Sequence, residues 1–199
     1  MEEILPAEDM EEDSDAEVEE YIRQVLNDTD MEDKEDKTGE KRTRTDSDEV
    51  VEDGYTKELA EYEGVPEGPQ LSEEDLIADG FEAQPPWFFA LVAEWRGTTV
   101  GYALCNRAYS SWTRRAFYLE DLYVRPEARR ARVGRQLLRH VCQVAVAERV
   151  SRVDWHVLEN NAPARAFYAG LGARDLRASE GRTAMRLDSP YISRLAAER

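Results

Sequence analysis

The chain has 199 residues and a formal net charge of −17 at pH 7, enough length for one domain of ordinary size and a tail. The charge is divided: residues 1–90 hold 32 Asp and Glu against 7 Lys and Arg, whereas residues 91–199 hold 11 against 19, all 19 being arginine, so the acidity of the whole excludes no partner class for the second half. Cys105 and Cys142 are too few for a disulfide framework and predict free thiols in a reducing, cytoplasmic setting; no apolar run reaches the length of a membrane span, and the start lacks the pattern of a secretory leader.

Residues 1–54 read as a mostly disordered acidic tail, too poor in apolar residues to offset the entropy of ordering. One piece stands out. Ser14 to Glu17 has the pattern of a capping box, and Val18, Tyr21, Ile22, Val25 and Leu26 follow at helical spacing, which predicts a short amphipathic helix over 15–27. From residue 55 a folded domain is expected to run to 199. Residues 55–63 read as the end of a helix, and Ser72 caps a second one through about Asp79. Strands are expected over 88–95, 98–109 and 117–124, the first two joined by the turn at Arg96-Gly97. A basic loop at 125–132 leads into a helix over 133–147 with Val133, Leu137, Leu138, Val141, Val144 and Ala145 on its apolar face. A strand over 153–158, a helix over 162–171, two strands near 173–178 and 182–188, and a last helical turn over 190–198 complete the expectation. The fold class is α/β, a mixed sheet flanked by helices.

Two mid-strand carboxylates, Glu120 and Asp121, sit among apolar neighbours, which is unusual for a strand. Alternation predicts that they point to opposite faces, so that only one lines a given pocket. The loop that follows contains a glycine and opens a helix, an arrangement that gathers backbone N–H groups where a phosphate can bind. The same basic run (Arg125, Arg129, Arg130, Arg132, Arg135, Arg139) also reads as a solvated patch. Without interleaved aromatics it is a poor nucleic-acid surface. His140 and His156 have no metal-ligand spacing, and no nucleophile elbow or phosphate-binding Walker loop is present.

Three segments occur in order: Tyr118-Leu-Glu-Asp-Leu-Tyr-Val124, Arg129-Arg-Ala-Arg-Val-Gly134, and Asn160-Asn-Ala-Pro-Ala-Arg-Ala-Phe-Tyr168 before Gly170-Leu-Gly172. Together with Trp112, residues 58–63 and Asp79-Gly-Phe81, they resemble the GNAT superfamily of N-acetyltransferases, and within it the spermidine/spermine and thialysine acetyltransferases. The resemblance implies acetyl-CoA as co-substrate, no metal, and transfer of acetyl to a primary amine of a small polycationic acceptor, a polyamine or a thialysine-like amine. Two alternatives are a catalytically weak interaction module on the same fold and an acetyltransferase for protein lysines. The resemblance allows a homodimer, and it calls for neither a membrane nor a nucleic acid.

Residue by residue, the resemblance makes Glu120 the catalytic base and Tyr168 the general acid for the departing thiolate; a phenol, with an ordinary pKa of about 10, holds its proton at neutral pH. It assigns the thioester and pantetheine arm to the backbone of Leu122, Tyr123 and Val124, and the pyrophosphate to Arg129, Arg130, Ala131, Arg132, Val133, Gly134 and Arg135. Asn161 and Tyr168 would also touch CoA. Glu63, Trp112 and Glu120 would line the acceptor site, two acids and an aromatic wall for a cationic chain. The sequence departs from the family in two places. Arg132 stands where the family's loop has its first glycine, and the pattern of the first strand and of the start of the first helix is missing.

Overall fold

In a computed structural model of the protein, residues 22–25, 54–68 and 70–198 are described. They fall into two compact units, the first ending at His156 and the second comprising Val157–Arg199.

The first unit is built on a five-stranded sheet in the order β1 (Ile22–Val25), β2 (Phe88–Trp95), β3 (Thr98–Ser110), β4 (Arg114–Val124) and β5 (Val153–Asp154). The first three pairings are antiparallel and β4 pairs with β5 in parallel. Helices α1 (Gly54–Glu63) and α2 (Glu73–Ile77) precede β2, and α3 (Val133–Ala147) connects β4 to β5. Strands β2 and β3 and helix α3 lie where the apolar runs, the turn at Arg96-Gly97 and the 3.6-residue period put them, whereas β4 starts at Arg114, ahead of the expected Phe117. Helix α2 starts at Ser72 through a full capping box with Asp75, the two bonds measuring 2.8 and 3.2 Å. It does not end at Asp79. It passes into a π-helical turn over Ala78–Glu82, because Gly80 is buried beneath the Phe88 ring, which leaves no space for a side chain.

The strand at Ile22–Val25 corrects two expectations. Those residues do not continue a helix, and the first strand is not missing. Ile22 to Val25 pair with Ala93 to Ala90 along the edge of β2, whose backbone donors and acceptors would otherwise face outward. Tertiary pairing here outweighs the local helical pattern. The domain therefore begins before residue 55. The remainder of the expected helix, residues 15–21 and 26–27, and the rest of the acidic tail lie outside the described residues.

The core lies between the sheet and α3. Phe89, Leu91, Phe117 and Leu119 meet Leu137 and Val141, all at most 2% exposed, and the Phe89 and Phe117 rings pack edge to face at 5.0 Å. Each such side chain contributes about 1.5–3 kcal/mol by leaving water. Gly101 of β3 lies under α3. A Cβ there would come within 2.7 Å of the Tyr123 carbonyl oxygen, 3.3 Å of the Val124 Cα and 3.4 Å of Leu137 Cδ1. Backbone cannot yield as a side chain does, so Gly101→Ala is expected to cost about 1–3 kcal/mol, read as a lower urea midpoint at unchanged slope. On the opposite face α1 is fastened by Glu58. Its carboxylate accepts from Tyr123 at 3.1 Å and from Arg125 at 2.9 and 3.3 Å.

The second unit contains helices α4 (Ala162–Gly170), α5 (Leu176–Glu180) and α6 (Ser189–Ala196). The expected strands at 173–178 and 182–188 are absent among the described residues. Asp175 accepts from the N–H groups of Arg177 and Ala178, and Gly181 ends the turn in the left-handed region at φ 66°. Those two caps fold the segment into α5, and residues 181–188 carry no regular structure. The expected strand over 153–158 is likewise shortened to Val153–Asp154.

Candidate active site

The pairing of β3 with β4 slips once. Leu104 faces Asp121 while Cys105 faces Leu119, which leaves Glu120 as the extra residue of a β-bulge. The bulge overturns the alternation argument. Asp121 lies on the face of Tyr102, whose hydroxyl donates to its Oδ2 at 3.1 Å. Glu120 turns to the same side, where Asn106 donates to its Oε2 at 3.3 Å. Tyr102 and Asn106 are even-numbered neighbours along β3 and share one face. Both carboxylates thus line one surface.

Burial pushes the Asp121 carboxyl up to about 6, and the charges of Glu120 and Glu63 push the same way, against the lowering effect of the Tyr102 hydroxyl. The Tyr102 phenol is itself raised, first by burial and then by the Asp121 charge. Glu63, the last residue of α1, is exposed and lies within electrostatic reach of both. Three acids bearing on one spot favour a cation there, and a carboxyl titrating near 6 is suited to exchanging a proton close to neutrality.

Beyond this spot β4 has an open edge. On the β5 side it is paired only at Phe117 and Tyr118, so among the described strands none covers Leu119 to Val124 on that side. Backbone groups of Leu122 and Tyr123 can therefore meet an extended ligand as a neighbouring strand would. Leu122 is half-buried and Tyr123 buried; burial and the nearby Glu58 charge raise the Tyr123 phenol to about 12.

The loop after Val124 divides its arginines by task. Arg125 is held by Glu58. Arg129 donates to the Val124 carbonyl at 2.9 Å and lies over the Tyr62 ring at 4.3 Å. These two brace the loop against α1. Arg130 and Arg132 both have positive φ, 71° and 61°. Arg132 thus holds the left-handed conformation that glycine adopts without strain, at a cost of roughly 1 kcal/mol. It is the N-cap of α3 and gives no side-chain cap. The first-turn N–H groups of Val133, Gly134 and Arg135 point from the helix end beside Ala131. Gly134 is not sterically obligatory, since a Cβ there would meet Val124 Cγ2 at an ordinary 3.5 Å.

Trp112 sits in the hairpin turn before β4 and is 84% exposed. Six strand residues, about 20 Å at 3.3 Å each, separate that turn from Glu120, so the fold does not bring Trp112 to the acids. In the second unit, Asn161 accepts from the Ala164 N–H at 3.2 Å and is the N-cap of α4. Tyr168 is half-buried in α4 with its ring 5.2 Å from that of Phe167. Among the described residues no group of three or more His, Cys, Asp or Glu could hold a metal, and no helix is long and apolar enough to cross a membrane. Tyr102, Asn106 and Asp121 were not marked as site residues by sequence reasoning. The first two sit at even spacing on β3, but only the bulge shows which acids they face.

This arrangement has close parallels. The acetyltransferase (GNAT) family matches residues 52–173. A thialysine N-epsilon-acetyltransferase of Sus scrofa is 39% identical over 150 residues, covering 71% of this chain and 88% of that one. A spermidine/spermine N(1)-acetyltransferase-like protein of Homo sapiens is 33% identical over 132 residues, 63% of this chain and 19% of that one. Among solved structures, an integron cassette protein from the mobile metagenome of V. cholerae superposes with a TM-score of 0.65 at 21% identity, over 89% of this chain and 97% of the other. An aminoglycoside N-acetyltransferase in complex with CoA superposes with a TM-score of 0.53 at 15% identity, over 84% and 98%; at such identities these two establish the fold alone. With the sequence matches covering most of the domain, the chain belongs to the GNAT family of acetyltransferases.

Proposed function

We propose that the protein transfers acetyl from acetyl-CoA to a primary amine of a small polycationic acceptor, of the polyamine or thialysine kind. The observation that carries this reading is the bulge, which turns Glu120 and Asp121 to one face at the start of the open β4 edge. The names of the two relatives support the acceptor class, and two free cysteines fit a reducing cytoplasm.

Acetyl-CoA, when bound, supplies an activated thioester. The residues present suit it: an unpaired strand edge for amide groups, then an uncapped helix end for phosphates, with Arg130, Arg132 and Arg135 around it. On the acceptor side the acids do two jobs. Glu63, Glu120 and Asp121 attract a protonated amine and hold it. The Glu120–Asp121 pair then takes its proton, Glu120 through water, leaving the nitrogen lone pair free to attack. Tyr168 gives a proton to the departing sulfur.

The direct test is thermal unfolding with CoA. A ligand at 100 times its dissociation constant adds about 2.7 kcal/mol, a rise of roughly 5–10 °C for a chain of this size. No rise at millimolar CoA would sink the proposal. Arg132→Gly separates backbone from charge. Glycine suits the φ of 61°, so the free protein is expected to gain about 1 kcal/mol, while loss of the cation weakens CoA binding about tenfold. Equal CoA binding in the variant would show that the arginine pairs with no phosphate, and tighter binding that it is a handicap. Product formation with spermidine, spermine, thialysine and a lysine peptide then sorts the acceptor.

A further inference from the structure

A cavity of about 380 Å³ lies at the opposite end of α3 from the loop, lined by Arg114, Arg115, Ala147 and Arg149. The helix has 15 residues, so some 20 Å of helix separates its two ends. We propose that this cavity is a second anion site, one that takes the phosphate group of a small phosphorylated molecule.

Three arginines line this one concavity, and like charges brought together there favour an anion. The neighbouring acids are already engaged. Glu148 is held by Arg107 at 2.6 and 3.1 Å, and Asp154 by Arg152 at 2.7 Å. Arg115 spends one donor on the Glu148 carbonyl, at 2.8 Å. Among the described residues neither Arg114 nor Arg149 has a carboxylate partner. Both hold left-handed backbone, φ 71° and 57°, a conformation that costs an arginine energy. The walls are fixed. Ser151 ties the segment after α3 to β4, its N–H donating to the Arg115 carbonyl at 2.9 Å and its hydroxyl contacting the same carbonyl at 2.8 Å and that of Thr113 at 2.6 Å. Guanidinium forks match the oxygens of a phosphate, and the volume lies in the range of sites for small organic ligands rather than bare ions. A nucleic acid would need a track of cations, and here three surround one hollow.

The test is a titration of the ¹⁵N-labelled full chain, at constant ionic strength, with inorganic phosphate, glucose 6-phosphate and, as control, chloride. Backbone and Nε–H signals of Arg114, Arg115 and Arg149 are expected to shift saturably with glucose 6-phosphate. Signals of Arg130, Arg132 and Arg135 report the loop separately, so this site and the proposed CoA site fail or succeed independently. The double variant Arg114→Gly, Arg149→Gly keeps the positive φ without the charges. It is expected to melt no lower than the parent and to bind glucose 6-phosphate at least about tenfold more weakly. Shifts that chloride reproduces, parental affinity in the double variant, or a response to inorganic phosphate alone would each overturn the proposal. So would tighter binding of a single-stranded oligonucleotide at the same signals, which would assign the patch to nucleic acid.

Discussion

Asp121→Asn is expected to lower kcat/KM about 10³-fold while raising the melting temperature at pH 7. The loss follows from removing a positioned carboxylate that binds and deprotonates the amine, a contribution of roughly 10²–10⁴. The gain in stability follows from the same environment. Burial and the charges of Glu120 and Glu63 hold the Asp121 carboxyl at about 6 instead of its ordinary 3.8. Between those values the folded state binds more protons than the unfolded one, so the contribution of this group to stability falls as pH rises from about 4 to about 6 and stays lowered above that. For a half-buried group the deficit at pH 7 is about 2 kcal/mol. Asparagine removes the charge and retains an oxygen for the Tyr102 hydroxyl, now 3.1 Å from Oδ2. The variant should therefore melt about 4 °C or more above the parent at pH 7, with the difference vanishing near pH 4.

The activity profile carries the complementary sign. In the parent, kcat/KM should rise with pH through about 6 as Asp121 loses its proton; in the asparagine variant that limb should disappear. A variant whose melting temperature falls in parallel with the parent's between pH 4 and 6 would move the titrating group elsewhere. With stability and activity expected to change in opposite directions, these two results together would mark the carboxylate as a site kept strained by its use.

What was legible in the sequence follows the range of the forces involved. The apolar run of Phe88 to Trp95 and the apolar stripe of Val133, Leu137 and Val141 are local patterns, and both elements have the bounds these patterns imply. Ile22 to Val25 lies in an acidic stretch whose local pattern is helical; its strand exists only because β2 offers a free edge 65 or more residues later. The second unit shows the reverse, since Asp175 and Gly181 were local cap signals that outweighed the expected strand. In the site, Glu120 and Asp121 were conspicuous, but a strand read by itself alternates strictly. The bulge is a property of register against β3 and cannot be read from β4 by itself. The arginines of the loop look alike in sequence. Only their partners and dihedrals separate the brace Arg129 from the left-handed Arg132.

Tyr168→Phe is expected to reduce kcat about 100-fold while leaving CoA affinity within about twofold, the loss of one proton donor at the leaving group. The substitution removes only an oxygen and keeps the ring, so the packing against Phe167 at 5.2 Å persists. The helix end does not depend on the hydroxyl either, since the Tyr168 carbonyl accepts from Leu171 at 3.0 Å and from Ala173 at 3.1 Å through backbone alone. A merely structural role would lower stability and affinity together, and both are expected to stay. The role can be isolated through the leaving group. A proton donor matters less as the departing thiol becomes more acidic, so the parent-to-variant ratio should shrink with an acetyl thioester of a thiol several pK units more acidic than that of CoA. If the ratio is the same for both thioesters, the Tyr168 hydroxyl does not protonate the sulfur, and the donor must be sought among the groups facing the open edge of β4.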